Sequence, residues 1–254
     1  MTLLDRSQFL RPIAHRGLHD ATAGPMENSR AAFEAAIARG FGIECDLRPA
    51  KGGLPAVFHD KTLERVTSST GAIARHTAES LKSVRYPDGT SVMTFEALLQ
   101  LVQGRVPLLV EIKSEWDPPD AAFLSEIAML CQAYAGPLAV MSFDPAVLTA
   151  MRALAPSIPR GIVSGLFESE TGDTWWAAKL SRERAYRLAH LLECGPVHPA
   201  FVAYHVKALP TPVTRFVREV LGLPLFTWTV REAEDLSRAQ QWADAPIFEG
   251  IDPS

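Results

Sequence analysis

Short apolar runs alternate with longer amphipathic segments along the whole chain. Nine of these runs are predicted to be β-strands, at residues 12–15, 42–48, 55–59, 107–113, 137–143, 160–164, 201–206, 224–230 and 245–250. Strands that alternate with helices are typical of βα units, which build a parallel sheet. A barrel of eight such units takes about 250 residues, and the chain has 254. The sequence therefore predicts an α/β fold, a (β/α)8 TIM barrel, as a single domain over residues 1–254.

One predicted strand is in excess of the eight that such a barrel needs. Residues 49–54 alone separate the second candidate strand from the third, and a crossover helix does not fit into so short a segment. We therefore expect residues 55–59 to form an antiparallel or irregular strand, or a strand reached by a loop. Residues 168–199 have the least regular pattern and are predicted to form a helical excursion.

Helix ends are marked by glycines and by capping residues. Three predicted helices, at residues 29–39, 95–103 and 119–135, are each followed by a glycine, namely Gly40, Gly104 and Gly136. Glycine just past a helix usually adopts the left-handed conformation that ends it. Two more helices are predicted to begin at Asp144 and Thr211, because each of these capping residues is followed by a proline.

Charge and cysteine content exclude several classes of protein. A net charge of −4 and a pI near 6.0 disfavour a nucleic-acid binder that relies on a basic surface. Cys45, Cys131 and Cys194 are too few and too scattered for a disulfide framework or a zinc motif. Asp5 and Arg6 interrupt the apolar segment that a signal peptide would need. No run approaches the ~20 apolar residues of a membrane span, so we expect a cytoplasmic protein without stable membrane insertion.

Three acidic residues fall at or near the carboxyl ends of predicted strands, where barrel active sites are built. Glu44 and Asp46 are two residues apart in GIECDLRP and so point to one face of a strand, and Glu111 and Lys113 repeat this spacing in LLVEIKS. A carboxylate pair on a strand is more often a solvated edge, but these flanking residues are apolar, and buried acids without partners are unfavourable. An all-oxygen cluster suits a hard divalent cation, Mg²⁺ or Ca²⁺.

Two histidines also end predicted strands. His15 closes PIAH and His59 closes PAVFH, each followed by a charged residue. A lone histidine at a strand end is more often structural, whereas two beside an acidic cluster can move protons near neutral pH. Arg16 and Lys113 are candidate contacts to a phosphate group. The other histidines are interpreted as surface or packing residues, namely His19, His76, His190, His198 and His205.

The same residues lie within a longer pattern that resembles the glycerophosphodiester phosphodiesterase family. The matching segments, in the family's order, are IAHRG, ENS, FGIECDLRPAKGGLPAVFHDKTLERVTSSTG, MTFEALLQLV, LLVEIKS, MSFDP and LPLFTWTVR. This resemblance implies a TIM barrel that hydrolyses small-molecule glycerophosphodiesters to sn-glycerol 3-phosphate and an alcohol with one divalent cation.

The resemblance also implies a role for each matching position. His15 and His59 correspond to the acid–base pair, and Arg16 and Lys113 to the phosphate contacts. The implied metal ligands are Glu44, Asp46 and Glu111. Glu27 corresponds to an acid near the site that helps to orient the catalytic group, and Trp228 to an aromatic wall of the substrate pocket.

The chain departs from the family pattern near its end. Arg231 stands where the family usually has asparagine, and the segment PIFEGIDP, with Glu249 and Asp252, only approximates the usual final motif. These changes affect the expected shape of the glycerol end of the site.

Two other functions are compatible with these residues. A lysophospholipase D-like hydrolase acting on lipid-bearing diesters would need a hydrophobic mouth, to which Leu166, Phe167, Trp175 and Trp176 could contribute. A non-catalytic barrel that binds phosphorylated metabolites would typically lack a catalytic group, and none is missing here. Attack on phosphorus by water or by the substrate's own hydroxyl, through a cyclic phosphate, both fit the sequence.

Overall fold

Parallel strands close into a ring in the computed structural model, which describes residues 2–20, 24–168 and 173–253. The strands are β1 Ile13–Ala14, β2 Gly42–Pro49, β3 Pro55–Val57, β4 Leu108–Ile112, β5 Leu138–Ser142, β6 Arg160–Ser164, β7 Phe201–His205, β8 Leu225–Val230 and β9 Ala245–Phe248. They follow one another around one sheet, and β1 pairs in parallel with both β2 and β9. Without β3, the remaining eight strands form the closed parallel barrel. The predicted (β/α)8 fold is confirmed.

The ninth strand, β3, is antiparallel, which was one of the alternatives expected from the sequence. β3 pairs with β2 through Leu47 and Val57, at the end of β2 where the acidic side chains lie. The chain reverses through a 3-10 turn over Lys51–Gly53. Gly53 has a φ of 82°, and a Cβ there would come within 2.8 Å of the backbone nitrogen of Phe123. The reversal therefore needs glycine both for its conformation and for its packing.

The α-helices alternate with the barrel strands. They are α1 Arg6–Phe9, α2 Arg30–Ala38, α3 Ala78–Leu81, α4 Phe95–Val102, α5 Ala121–Ala133, α6 Pro145–Leu154, α7 Arg182–Ala189, α8 Pro212–Arg215 and α9 Ala233–Trp242. Short 3-10 turns lie at Lys51–Gly53, Ile73–Arg75, Gly195–Val197 and Val206–Ala208, and a π-helical turn at Phe216–Val220 follows α8. Asp144 and Thr211 cap α6 and α8 as predicted.

One predicted helix stop is wrong. Gly40 and Gly104 have φ angles of 70° and 74° as expected, but Gly136 is not among the residues with positive φ. α5 ends instead with Tyr134 in an extended conformation. A Cβ on Gly136 would lie 2.6 Å from the Cα of Gly104, so this glycine is needed for the close approach of two loops rather than for a left-handed turn.

Alternation along the strands separates an inner from an outer apolar layer. On β4, Leu108, Val110 and Ile112 pack in the cluster between sheet and helices, whereas Leu109 belongs to a second cluster. Leu109 shares that second cluster with residues from other strands and lies inside the barrel. Because side chains alternate along a strand, Glu111 points to the interior with Leu109. Cys45 belongs to the outer cluster, so its neighbours Glu44 and Asp46 also point inward.

The irregular region after β6 contains a helix, as predicted. It includes α7 and the turn at Gly195–Val197, while residues 169–172 of this region lie outside the described residues. Cys45, Cys131 and Cys194 are all free thiols. Within the described ranges, we find no helix with the length and apolar character needed to cross a bilayer.

Candidate active site

Three carboxylates meet inside the barrel at the carboxyl ends of β2 and β4. Asp46 and Glu111 are direct neighbours in the parallel register of these strands, and Glu44 lies one strand repeat before Asp46. One oxygen from each of the three side chains lies within 4.8 Å of the other two. Glu44 and Asp46 are fully buried and Glu111 is nearly so. The sequence-based expectation that these acids converge is therefore met by the geometry.

Two basic side chains compensate part of this negative charge. Lys113 Nζ lies 2.8 Å from Asp46 Oδ1 and 2.7 Å from Glu111 Oε1. Arg16 Nε lies 3.2 Å from Asp46 Oδ2, and the Arg16 backbone N–H donates to Glu44 Oε2 at 3.0 Å. Burial opposes the charge on Asp46, but Lys113 and Arg16 outweigh it and hold the pKa of Asp46 well below its ordinary value.

Glu44 is the least compensated of the three acids. Burial, together with the charges of Asp46 and Glu111, raises the pKa of Glu44 well above its ordinary value. Its Oε1 atom is buried and has no hydrogen-bond partner among the residues that the structure describes. A buried acceptor of this kind is unfavourable unless a cation or a proton occupies the space beside it. The donor set, made only of carboxylate oxygens, suits a hard divalent cation.

Asn28 orients the acidic cluster from the loop before α2. Its side-chain amide donates to Asp46 Oδ2 at 2.8 Å, and its carbonyl oxygen accepts from the Asp46 backbone N–H at 3.3 Å. This two-bond contact fixes the Asp46 carboxylate, and Asn28 itself adopts a φ of 55°, which asparagine tolerates better than most residues. The sequence analysis quoted Asn28 within ENS but gave it no role.

His59 is the first member of a chain of polar contacts on one side of the cluster. Its Nδ1 lies 2.6 Å from Asp60 Oδ1, and Arg65 Nε donates to Asp60 Oδ2 at 2.5 Å. Arg65 also holds Glu27 through two contacts of 2.6 and 2.8 Å. Glu27 in turn accepts from Arg16 Nη1 at 2.9 Å. Glu27 therefore lies near the site and holds the Arg16 guanidinium in place.

His15 has a matching arrangement on the other side. Its Nδ1 lies 2.5 Å from Glu249 Oε2, and its Nε2 lies 3.9 Å from Glu44 Oε2. Arg231 Nε donates to Glu249 Oε1 at 2.5 Å. Burial opposes the charge on Glu249, yet its contacts with His15, His19 and Arg231 hold its pKa far below the ordinary value. The divergent residue Glu249 thus contacts His15 directly, and Arg231 holds Glu249 in place.

Burial lowers the pKa of both histidines from the ordinary value of 6.5. For His15 the nearby Arg16 charge adds to this effect, and for His59 the Lys113 and Arg16 charges do. This shift favours the neutral imidazole, in which one ring nitrogen donates and the other accepts a proton. Since Nδ1 of each contacts a carboxylate, Nε2 is the nitrogen available for proton transfer.

His19 was interpreted as a surface or packing residue, and the structure gives it a more specific place. Its side chain is 12% exposed, and its Nε2 lies 3.5 Å from Glu249 Oε2. One sequence signal could have identified Glu249 and, through it, His19. Glu249 directly follows the last barrel strand, where barrel active sites are built.

Aromatic side chains form a wall at the carboxyl ends of β5, β7 and β8, the end of the barrel that also holds the acidic cluster. Trp228 is partly buried on β8, donates from Nε1 to Ala203 O at 3.2 Å, and packs edge-on against Phe143 at 5.3 Å. His205 lies 4.9 Å from the Trp228 ring. Further rings of this wall are Trp116, Phe167, Trp175 and Trp176. Phe167 is fully buried and packs against the other rings of the wall, whereas Leu166 and Trp176, which could also contribute to a hydrophobic mouth, are exposed.

Comparison with known proteins agrees with this geometry. The glycerophosphoryl diester phosphodiesterase family matches residues 15–249. A glycerophosphodiester phosphodiesterase of Caldanaerobacter subterraneus subsp. tengcongensis is 27% identical over 238 residues, which cover 89% of this chain and 88% of the relative.

Solved structures show the same fold. A glycerophosphodiester phosphodiesterase from Thermotoga maritima is similar with a TM-score of 0.70 and 22% identity, over 94% of this chain and 93% of that one. An Oleispira antarctica phosphodiesterase in complex with the product sn-glycerol-3-phosphate has a TM-score of 0.69 and 22% identity, over 94% and 92% of the two chains. With its family match over residues 15–249, its barrel and its acidic cluster, the chain belongs to the glycerophosphoryl diester phosphodiesterase family and is a phosphodiester hydrolase.

Proposed function

We propose that the protein hydrolyses glycerophosphodiesters to sn-glycerol 3-phosphate and an alcohol, using a divalent cation and two histidines. The observation that supports this most strongly is the placement of His15 and His59 around one buried acidic cluster. Each histidine has its Nδ1 against a carboxylate, at 2.5 and 2.6 Å. The product complex of the Oleispira antarctica phosphodiesterase, which shares this fold, supports sn-glycerol 3-phosphate as the product.

Glu44, Asp46 and Glu111 are the residues that would hold the cation. Their oxygens lie close together, and Glu44 Oε1 is buried without a hydrogen-bond partner among the described residues. Mg²⁺ and Ca²⁺ both accept such ligands. A cation bound there supplies positive charge for the oxygens of the phosphate as negative charge develops in the transition state. Lys113, between Asp46 and Glu111, adds a fixed positive charge to the same region.

The two histidines divide the proton transfers of the reaction. Hydrolysis needs one group to take a proton from the attacking oxygen and another to give a proton to the leaving alcohol. Glu249 and Asp60 accept from Nδ1 of His15 and His59, which fixes the tautomer and leaves Nε2 as the reactive nitrogen. A neutral imidazole accepts a proton from the attacking oxygen, whereas the histidine that protonates the leaving alcohol must first carry a second proton on Nε2, a cation that the carboxylate at its Nδ1 stabilises. Glu249 and Asp60 are thus positioning residues.

Arg16 and Trp228 complete the substrate pocket. Arg16 is held in place by Glu27 and Asp46, and its guanidinium is the candidate partner for phosphate oxygens. Trp228 offers a flat apolar face beside the site, against which the carbon skeleton of the substrate can pack. These side chains bind and orient, while the histidines move protons.

The two alternative functions are less well supported. The curated relatives are named glycerophosphodiester phosphodiesterases. Of the hydrophobic residues expected at a lipid-binding mouth, Leu166 and Trp176 are exposed but Phe167 is buried. A non-catalytic barrel would have no need for two oriented histidines.

An assay of product release tests the proposed function. The protein is incubated with glycerophosphocholine and with glycerophosphoethanolamine, and sn-glycerol 3-phosphate is measured after addition of EDTA and after return of Mg²⁺ or Ca²⁺. We expect release that EDTA abolishes and one of the cations restores. Full activity in EDTA would contradict the cation site, and turnover of neither diester would contradict the substrate class. Trapping of a cyclic phosphate under single-turnover conditions would identify attack by the substrate's own hydroxyl.

A further inference from the structure

A cleft of about 680 Å³ is lined in part by Glu249, the partner of His15, and does not include the residues of the acidic cluster. His19, Glu249, Asp20 and Asp252 are among the side chains that line it, and Arg39 is its basic residue. Arg39 is already paired with Asp252 at 2.8 Å.

Three potential metal ligands converge where this cleft meets His15. One ligand atom each from His15, His19 and Glu249 lies within 4.8 Å of the other two. Glu249 Oε2 lies 2.5 Å from His15 Nδ1 and 3.5 Å from His19 Nε2. The His19 Nε2 atom is buried and makes no hydrogen bond within the described part of the chain. A buried imidazole nitrogen that lies 3.5 Å from a carboxylate oxygen without forming a hydrogen bond is an observation that a metal ligand between the two would explain.

The chemistry of this group differs from that of the acidic cluster. Two imidazoles and one carboxylate suit a borderline-soft ion such as Zn²⁺, whereas three carboxylates suit Mg²⁺ or Ca²⁺. The outer contacts also fit, because Arg231 Nε fixes the other Glu249 oxygen at 2.5 Å. Ligating carboxylates are commonly held by such a bond. His15 Nε2 faces Glu44 Oε2 at 3.9 Å, so the second nitrogen of this ligand also has an acidic neighbour.

We propose that His15, His19 and Glu249 form a second, inhibitory site for Zn²⁺ or a similar transition-metal ion. Binding of the ion through Nδ1 uses the lone pair of that nitrogen and keeps the proton of His15 on Nε2. His15 then cannot accept a proton from an attacking oxygen. The inhibitory consequence rests on the proposed function, whereas the existence of the site does not.

The site needs only a small adjustment to accept the ion. Ligands bound tetrahedrally at about 2.0–2.2 Å are roughly 3.3 Å apart. The 3.5 Å between His19 Nε2 and Glu249 Oε2 already meets this, while the 2.5 Å contact to His15 must open by about 0.8 Å. A rotation of the Glu249 carboxylate provides such a movement. Three protein ligands leave the fourth position for water.

Zinc titration in the presence of excess Mg²⁺ tests the site, because Mg²⁺ then occupies the acidic cluster. Zn²⁺ binding is measured by calorimetry, Co²⁺ binding by visible absorption, and hydrolysis of glycerophosphocholine in parallel. The variants are His19→Ala and His19→Gln, with His190→Ala as the matched control at an exposed histidine. Thermal unfolding verifies that each variant is folded.

We expect the wild-type protein and His190→Ala to bind one equivalent of Zn²⁺ and to lose activity as it binds. In the His19 variants Zn²⁺ affinity falls by at least about 10- to 100-fold, the cost of losing even an outer contact to a metal. Inhibition is expressed relative to the zinc-free activity of each variant. The inhibitory concentration rises by the same factor.

If the His19 variants are inhibited at the Zn²⁺ concentration that inhibits the wild-type protein, the proposal is overturned. Zinc would then inhibit by binding at the acidic cluster. Absence of zinc binding by the wild-type protein would also overturn it, leaving the three side chains as a hydrogen-bonded group. Zinc binding that depends on His19 in a protein that hydrolyses no glycerophosphodiester would contradict the proposed function and support the site.

Discussion

Nδ1 of His15 lies 2.5 Å from a carboxylate oxygen of Glu249, although 234 positions separate the two residues in the chain. The contact exists because the first and last barrel strands pair, and the His15 backbone N–H donates to Phe248 O at 2.9 Å. Closure of the barrel therefore places an acid behind a histidine. On the other side of the cluster, Asp60 does the same for His59 at 2.6 Å, and there the two residues are adjacent.

Replacement of Glu249 by glutamine should reduce kcat with little change in KM. The amide can no longer hold the tautomer of His15, and loss of the acid that orients a catalytic histidine costs up to about 10⁴-fold. We expect a decrease of about 100-fold, measured by steady-state release of sn-glycerol 3-phosphate.

A conservative variant and a surface variant serve as controls for the kcat of Glu249→Gln. Glu249→Asp keeps the carboxylate and should recover part of the lost kcat, whereas Glu96→Gln, on the exposed face of α4, should leave it unchanged. Wild-type kcat in Glu249→Gln would show that His15 does not depend on this acid.

Cation binding should stabilise the folded protein through Glu44. A ligand that binds only the folded state at 100 times its dissociation constant adds about 2.7 kcal/mol to the free energy of unfolding. We expect Mg²⁺ or Ca²⁺ to give an increase of this size for wild type in urea unfolding, and Glu44→Gln to lose most of it. An equal cation-dependent increase in the free energy of unfolding of wild type and Glu44→Gln would show that the cation does not bind at Glu44.

Lys113→Met should lower the free energy of unfolding more in the absence of a divalent cation than in its presence. Lys113 is buried between Asp46 and Glu111, and removal of one partner from a buried charge group costs roughly 3–5 kcal/mol. Bound cation replaces part of the lost positive charge, so the difference from wild type should shrink when Mg²⁺ or Ca²⁺ is added. A difference that does not respond to cation would separate Lys113 from the cation site.

The contribution of Glu249 to stability should disappear in acid. Its pKa is held below the ordinary value by His15, His19 and Arg231 against the opposing effect of burial. A depressed carboxyl pKa stabilises the folded state fully above the unfolded-state value of about 4.3 and less as the pH falls below it. The free energy of unfolding of wild type minus that of Glu249→Gln should therefore be largest at pH 7 and decrease below about pH 4. A constant difference between pH 7 and pH 3 would be inconsistent with this ion pair.

Local patterns predicted the barrel and the residues that end its strands. Period-two alternation placed Glu44 and Asp46 on one face, and the short connection before β3 indicated an antiparallel strand, because both depend only on neighbouring residues. The role of Gly136 was misassigned because its constraint comes from Gly104, which lies on a different loop.

The supporting residues of the site were harder to predict. Glu249, Arg231 and His19 become neighbours only when β9 pairs with β1, so their meaning depends on closure of the ring. Glu27 was expected near the site, but its partners Arg16 and Arg65 lie on separate loops. Sequence position alone could not show which charged group it holds.

The central claim is that His15 and His59 divide the acid and base roles, and a change of leaving group tests it most directly. Wild type, His15→Ala and His59→Ala are compared on glycerophosphocholine and on a glycerophosphodiester of p-nitrophenol, which leaves without protonation. We predict that both variants lose about 10²- to 10⁴-fold on glycerophosphocholine and that one of them recovers most of its rate with the p-nitrophenyl diester. Equal losses on both substrates for both variants, or wild-type rates in either variant, would contradict the division of roles.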